Sequence, residues 1–189
     1  MGIRRYLLFA IPAVVIAGAV FIIFYLMPRK SSAPEKVKGK IDNPDTQFSQ
    51  KALVHLYFAD QKNLHLMAED RIVLRPKDPA AFGSIVIKAL IKGPQSELTR
   101  TIPEGTVLRA LYVTSKGTAY VDLSGAIKID YPGGAQSELM TIFSIVNSLI
   151  LNIPAVDTVN ILVEGRESMT LAGHIDLRFP FKANLLLIR

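Results

Sequence analysis

The chain has 189 residues, half of them hydrophobic, with no Cys, no Trp and a formal charge of +6. That length suits one modest domain plus an appendage, and the missing Cys excludes disulfides and any Cys-linked lipid anchor. The charge is unevenly spread: residues 1–50 carry 7 Lys/Arg against 3 Asp/Glu and residues 51–189 carry 15 against 13, so the folded part is near neutral and nucleic-acid binding is not expected.

Behind a short flank, residues 1–5, the segment Tyr6–Met27 (YLLFAIPAVVIAGAVFIIFYLM) holds 22 residues without a charge. At about 1.5 Å rise per residue, a helix of that length crosses a hydrocarbon core roughly 30 Å thick. The expectation is a transmembrane helix over 6–27 that acts as a signal anchor and contacts the lipid bilayer. A cleavable signal peptide is the alternative: Ala17-Gly18-Ala19 imitates a cleavage site, but Phe21 to Leu26 extend the apolar run past it. Arg4 and Arg5 precede the span and Arg29, Lys30, Lys36, Lys38 and Lys40 follow it, so a literal positive-inside count favours a cytoplasmic C-terminal part. Residues 28–50, polar and broken by Pro, read as a linker.

Residues 51–189 read as one domain. Leu53–Ala59 and Leu64–Leu74 form a hairpin around the turn cluster Asp60-Gln61-Lys62-Asn63, with an interruption expected near Glu69-Asp70. That turn sets His55 opposite Ala68 and His65 opposite Phe58. Asp78 caps a helix with Pro79 in its first turn, Phe82, Ile85, Val86, Ala89 and Leu90 line its buried face, and Gly93-Pro94 stops it. The stretch GPQSELTRTIPEGT (Gly93–Thr106) joins two units, with a short helical turn expected at Ser96–Leu98, hydroxyls serving as turn partners, and a tight turn at Gly105. Val107–Thr114 and Thr118–Leu123 form a second hairpin around Ser115-Lys116-Gly117. Pro132-Gly133-Gly134 introduces a second helix with an apolar stripe of Leu139, Ile142, Phe143, Val146, Leu149, Ile150 and Ile153. A strand at Thr158–Val163 and a tail over Met169–Leu177 follow. The order ββαββαβ implies an α+β fold: a mainly antiparallel sheet, two helices on one face, and the other face and the edges left available.

No constellation for catalysis, cofactor or metal is assigned. His55, His65 and His174 lack a ligand spacing. Ser124, two residues after Asp122, is the best-placed nucleophile candidate, yet both residues suit capping of turn donors at a strand end. Pro132-Gly133-Gly134 lacks a phosphate-loop spacing, and Glu164 and Glu167 sit on a polar turn.

Seven pieces in order resemble the GerM domain of bacterial sporulation and spore-germination proteins: Leu56-Tyr57-Phe58-Ala59-Asp60; Glu69-x-Arg71; Leu90-Ile91-Lys92-Gly93-Pro94; Ile102-Pro103-x-Gly105-Thr106; Tyr120-Val121-Asp122-Leu123-Ser124; Val159-x-Ile161-x-Val163-x-Gly165; and Gly173-His174-Ile175-Asp176. The resemblance covers roughly residues 50–180. It implies a small α+β domain without known enzymatic activity, placed outside the cytoplasmic membrane, and so overrules the Lys/Arg count. It leads to a non-enzymatic, single-pass protein of the bacterial cytoplasmic membrane whose extracytoplasmic domain associates with itself or with envelope partners, as a scaffold related to sporulation or to another envelope role. The alternatives are a wall-binding or ligand-sensing module using Tyr57, Tyr112, Tyr120 and Tyr131, and an envelope hydrolase using Ser124 or a His/Asp pair.

Overall fold

Val54, Leu56 and Phe58, alternating with His55 and Tyr57, fold one face of the first strand inward, where all three side chains lose contact with water. The computed structural model describes residues 48–129, 131 and 133–189. The expected membrane span at 6–27 and nearly all of the linker at 28–50 lie outside these residues. Among the described residues no helix is long and apolar enough to cross a membrane.

Strand β1 (Phe48–Ala59) pairs antiparallel with β2 (Leu66–Pro76). β2 runs without the interruption expected at Glu69-Asp70, and the loop is longer than the turn cluster suggests. Asp60 Oδ1 accepts from Leu64 N at 2.8 Å, and Asp60 N donates to His65 O, so residues 60–65 all belong to the loop. The register therefore moves by two residues: His55 faces Asp70, not Ala68, and Phe58 faces Met67.

Helix α1 (Pro79–Lys92) starts as expected, with the Asp78 carboxylate accepting from Ala81 N at 2.8 Å, and ends at Gly93, whose φ of 88° suits only glycine. The second hairpin, β3 (Leu108–Val113) and β4 (Thr118–Leu123), turns at Gly117 with φ 79°. A short helix α2 (Ala126–Ile129), not anticipated, follows and buries Ile127. Helix α3 (Ala135–Ile150) leads to β5 (Thr158–Val163), which joins β4 in parallel, and a two-residue β6 (Arg166–Glu167) completes that sheet.

The fold is α+β, but the expected single sheet is two. β1-β2 stands as one, and β3-β4-β5-β6 as the other. Both longer helices, α1 and α3, touch each other and share the two sheets between them: α1 lies against β1, β2 and β3, and α3 against β1 and β5. The common core includes Phe58, Ile87, Leu90, Leu123, Ile142, Ile145 and Leu149, all without exposure. Burial of each such side chain contributes about 1.5–3 kcal/mol, and one shared core of strand, helix and loop side chains holds the two small sheets in one domain.

Candidate functional site

The inner face of β1-β2 is consumed by the core, so what the hairpin offers lies on its outer face. There the register sets Leu53 beside Ile72 and Lys51 beside Leu74. Leu53, Ile72 and Leu74 are 56, 72 and 48% exposed, an apolar group on one sheet face. The face becomes polar further along, where His55 Nδ1 lies 2.6 Å from Asp70 Oδ1. Next in line, the Tyr57 phenol is pushed upward in pKa by its burial and then by the charge of Asp70.

The two edges of this hairpin differ. Along β1, Ala59 exchanges main-chain hydrogen bonds with Thr99 at 3.2 and 2.8 Å. Tyr57 N donates to Ser148 Oγ at 3.0 Å, and His55 N donates to Asn152 Oδ1 at 2.9 Å while His55 O accepts from Asn152 Nδ2 at 2.8 Å. Side chains from α3 and the turn after it thus cap the edge, and the expectation that this edge is available fails. The remaining edge belongs to β2. Directly opposed residues of an antiparallel ladder point their main-chain groups the same way, both toward or both away from the partner strand. Because His55 and Tyr57 point away from β2, their partners Asp70 and Ala68 point away from β1, and so by alternation do Ile72 and Leu74. At the start of this edge Leu66 O accepts from Arg189 N at 3.0 Å. Among the described residues no strand pairs along 68–74.

A family model described as Germane, sporulation and spore germination, matches residues 55–168. The chain belongs to this family. No curated protein sequence matches it. The Germane domain is similar in structure to a Clostridium perfringens protein provisionally named a lipoprotein (26% identity, TM-score 0.51, over 70% of this chain and 87% of that one). It also resembles the first GerMN domain of the sporulation protein GerM from Bacillus subtilis (16% identity, TM-score 0.53, 70% and 98% covered) and the tandem GerMN domains of the same protein (19%, 0.53, 72% and 46%).

Within the Germane domain, the pieces that carried the resemblance are physically joined. The Glu69 carboxylate accepts from Gln95 N and from both Ser96 N and Ser96 Oγ and is paired with Arg71, whose Nη2 reaches Gly93 O at 3.0 Å. Burial would raise the Glu69 pKa, but the Ser96, Arg71 and Gln95 hydrogen bonds outweigh it and hold the carboxyl below its ordinary value. This replaces the helical turn expected at Ser96–Leu98: residues 95–97 form a bend clasped by Glu69. Gly105 turns with φ 84°, and Ile102 is buried, as expected of the stretch. Thr101 Oγ1, rather than serving a turn, donates to Ser144 Oγ at 2.8 Å inside the domain.

A second clasp was missed. Glu138 on α3 has no exposure, yet its oxygens accept from Leu171 N, Ala172 N and His174 N at 2.8, 3.0 and 2.9 Å and lie 3.1 Å from His174 Nδ1. Burial raises its pKa, but these hydrogen bonds outweigh it and hold the carboxyl below its ordinary value. Thr141, Ser144, Asn147 and Ser148 are buried along the same helix, so α3 carries buried polar side chains in addition to the apolar stripe read from the sequence. The available signal was their spacing: Thr141, Ser144 and Ser148 recur at helical intervals of three and four.

The other singled-out residues sit apart. Ser124 Oγ accepts from Val107 N at 2.9 Å, and Asp122 Oδ1 accepts from Gly165 N at 2.7 Å. Glu164 is paired with Arg109, and Glu167 lies exposed on β6. His174 contacts Glu138, His55 contacts Asp70 and His65 lies 3.5 Å from Asp60, so none stands at Ser124. Tyr112 and Tyr120 are cross-strand partners, whereas Tyr131 is bonded to Thr141 and pushed up to about 12 by burial. Among the described residues no group of three or more His, Asp or Glu is placed to hold a metal ion.

Proposed function

We propose that this chain is a membrane-anchored protein that displays its Germane domain on the extracytoplasmic side and works by association, with itself or with other envelope proteins, without turning over a substrate. The observation that carries this reading is the outer hairpin surface: three exposed apolar side chains beside an edge strand with outward-pointing main-chain groups, a combination suited to strand and sheet contacts. The uncharged segment Tyr6–Met27 and the polar stretch after it support an anchor and a tether. The family description and the lipoprotein name of the Clostridium neighbour support an envelope setting. A lipid-bearing Cys is absent from this sequence, so the apolar segment serves as the anchor here. The test is amine-reactive crosslinking of the full-length protein in native membranes, followed by sizing. Crosslinked species above the monomer are expected; monomers alone overturn the reading.

A second reading rests on the Tyr112–Tyr120 pair, where Tyr112 is 64% exposed on the other sheet. Stacking on a wall sugar is the chemistry such a ring offers. Saturable retention on peptidoglycan, lost in Tyr112→Ala, favours it over assembly.

A further inference from the structure

Edge strand β2 has donors and acceptors aimed outward at Ala68, Asp70, Ile72 and Leu74, and between residues 67 and 74 its exposed side chains are those same residues. A strand added there extends the ladder and the apolar face together. Its inner-face residues Glu69 and Arg71 are held by the Gly93–Ser96 bend, so the edge is presented rigidly.

We propose that two copies of the chain join β2 to β2, antiparallel, across a two-fold axis at Ile72, to make one four-stranded sheet from two hairpins. The inference rests on the assembly reading above and adds its surface and register. Hydrogen bonding requires outward-pointing residues to face outward-pointing residues, and two-fold symmetry then leaves few registers. An axis at Asp70 sets two carboxylates opposite each other, and one at Arg71 sets two guanidinium groups together. An axis at Val73 places Arg71 against the second copy's Arg75. Like charges directly opposed are destabilising. An axis at Leu74 shortens the overlap and sets Pro76, which has no N–H, against Ile72.

The axis at Ile72 avoids each of these conflicts. Arg71 meets Val73, Asp70 meets Leu74, and Pro76 falls at the end of the pairing. On the outer face the order across the sheet becomes Leu53, Ile72, Ile72, Leu53, a continuous apolar row built from side chains that are more than half exposed in one copy. Strand pairing of this length is a small interface, and tethering both copies to one bilayer raises their effective concentration enough to favour it.

The absence of native Cys makes the register directly readable. In full-length protein in native membranes under mild oxidation, Ile72→Cys is expected to give a disulfide-linked dimer that is lost on reduction. The facing Cα atoms would be about 5.5 Å apart, within disulfide range. Ala68→Cys, which faces the end of the partner strand and not itself, and Tyr112→Cys on the other sheet are expected to stay monomeric. Ile72→Lys, at an exposed position, is expected to lose the dimer seen by amine crosslinking. Wild-type protein that crosslinks through amines while Ile72→Cys stays silent overturns this register and leaves the assembly reading standing. Wild-type protein that never crosslinks overturns both. A disulfide from Ile72→Cys to a different protein overturns the second copy as the occupant.

Discussion

Replacing Glu138 by Gln tests the physical core of the fold most sharply, because one carboxylate there gathers four donors. Oε1 accepts from Leu171 N and Ala172 N, and Oε2 accepts from His174 N and contacts His174 Nδ1. A carboxamide keeps one oxygen for the first pair and turns an NH2 group toward the second. That leaves a buried donor unsatisfied, at about 1–3 kcal/mol, and removes charge assistance from the remaining bonds. A total near 3 kcal/mol corresponds to roughly 100-fold in a local opening equilibrium. Amide hydrogen exchange at Leu171, Ala172 and His174 in the full-length protein in micelles measures it, and protection within about threefold of wild type would mean that Glu138 does not hold the tail. The pH dependence has a fixed sign. A carboxyl lowered in the folded state contributes stability that is complete above its unfolded value, about 4.3, and is lost as pH falls through the lower folded value. Protection of the tail in wild type should therefore decline below about pH 4 and approach that of Glu138→Gln.

Three further substitutions separate the roles assigned above. Ser148→Ala strands the Tyr57 N–H at the closed edge and is expected to cost about 1–3 kcal/mol by chemical denaturation; no loss means that the helix does not cap β1. Gly117→Ala should destabilise more than Gly105→Ala: both require positive φ, but a Cβ at 117 runs into the Asp157 carboxylate, while one at 105 meets nothing within 4 Å. Equal melting temperatures contradict the clash. Ser124→Ala removes the partner of Val107 N, at about 1 kcal/mol, and is expected to leave crosslinked assembly unchanged. If a candidate envelope hydrolysis disappears in that variant while the fold persists, the association reading fails.

The elements legible in the sequence were those written in local chemistry. Asp78-Pro79 announced α1, Gly93-Pro94 ended it, and the turn containing Gly117 marked the second hairpin within a residue at each strand. What escaped depends on contacts distant in sequence. The division into two sheets follows from helices α1 and α3 sharing their faces, which no single periodic segment encodes. Asn152 lies 97 residues from the His55 main chain it caps, and Glu138 lies 36 from His174. The polar residues of α3 were not legible as buried groups because their partners lie far along the chain, at Thr101 for Thr141 and Ser144 and at the Tyr57 main chain for Ser148. The first hairpin slipped by two residues because Asp60 holds a loop longer than its turn cluster suggests. Of the candidate surface, the outer-face position of Leu53 and Ile72 was not assigned from the sequence, and which edge stays open could not be, since Ser148, Asn152 and Thr99 decide it.

The proposed placement of the Germane domain outside the cytoplasmic membrane runs against the Lys/Arg count flanking residues 6–27. Protease added to intact spheroplasts measures this directly, with a C-terminal tag to follow the chain. With the domain outside, the tagged domain is degraded while a cytoplasmic control protein survives. A domain that resists external protease, and is digested only when the membrane is opened, would contradict that placement.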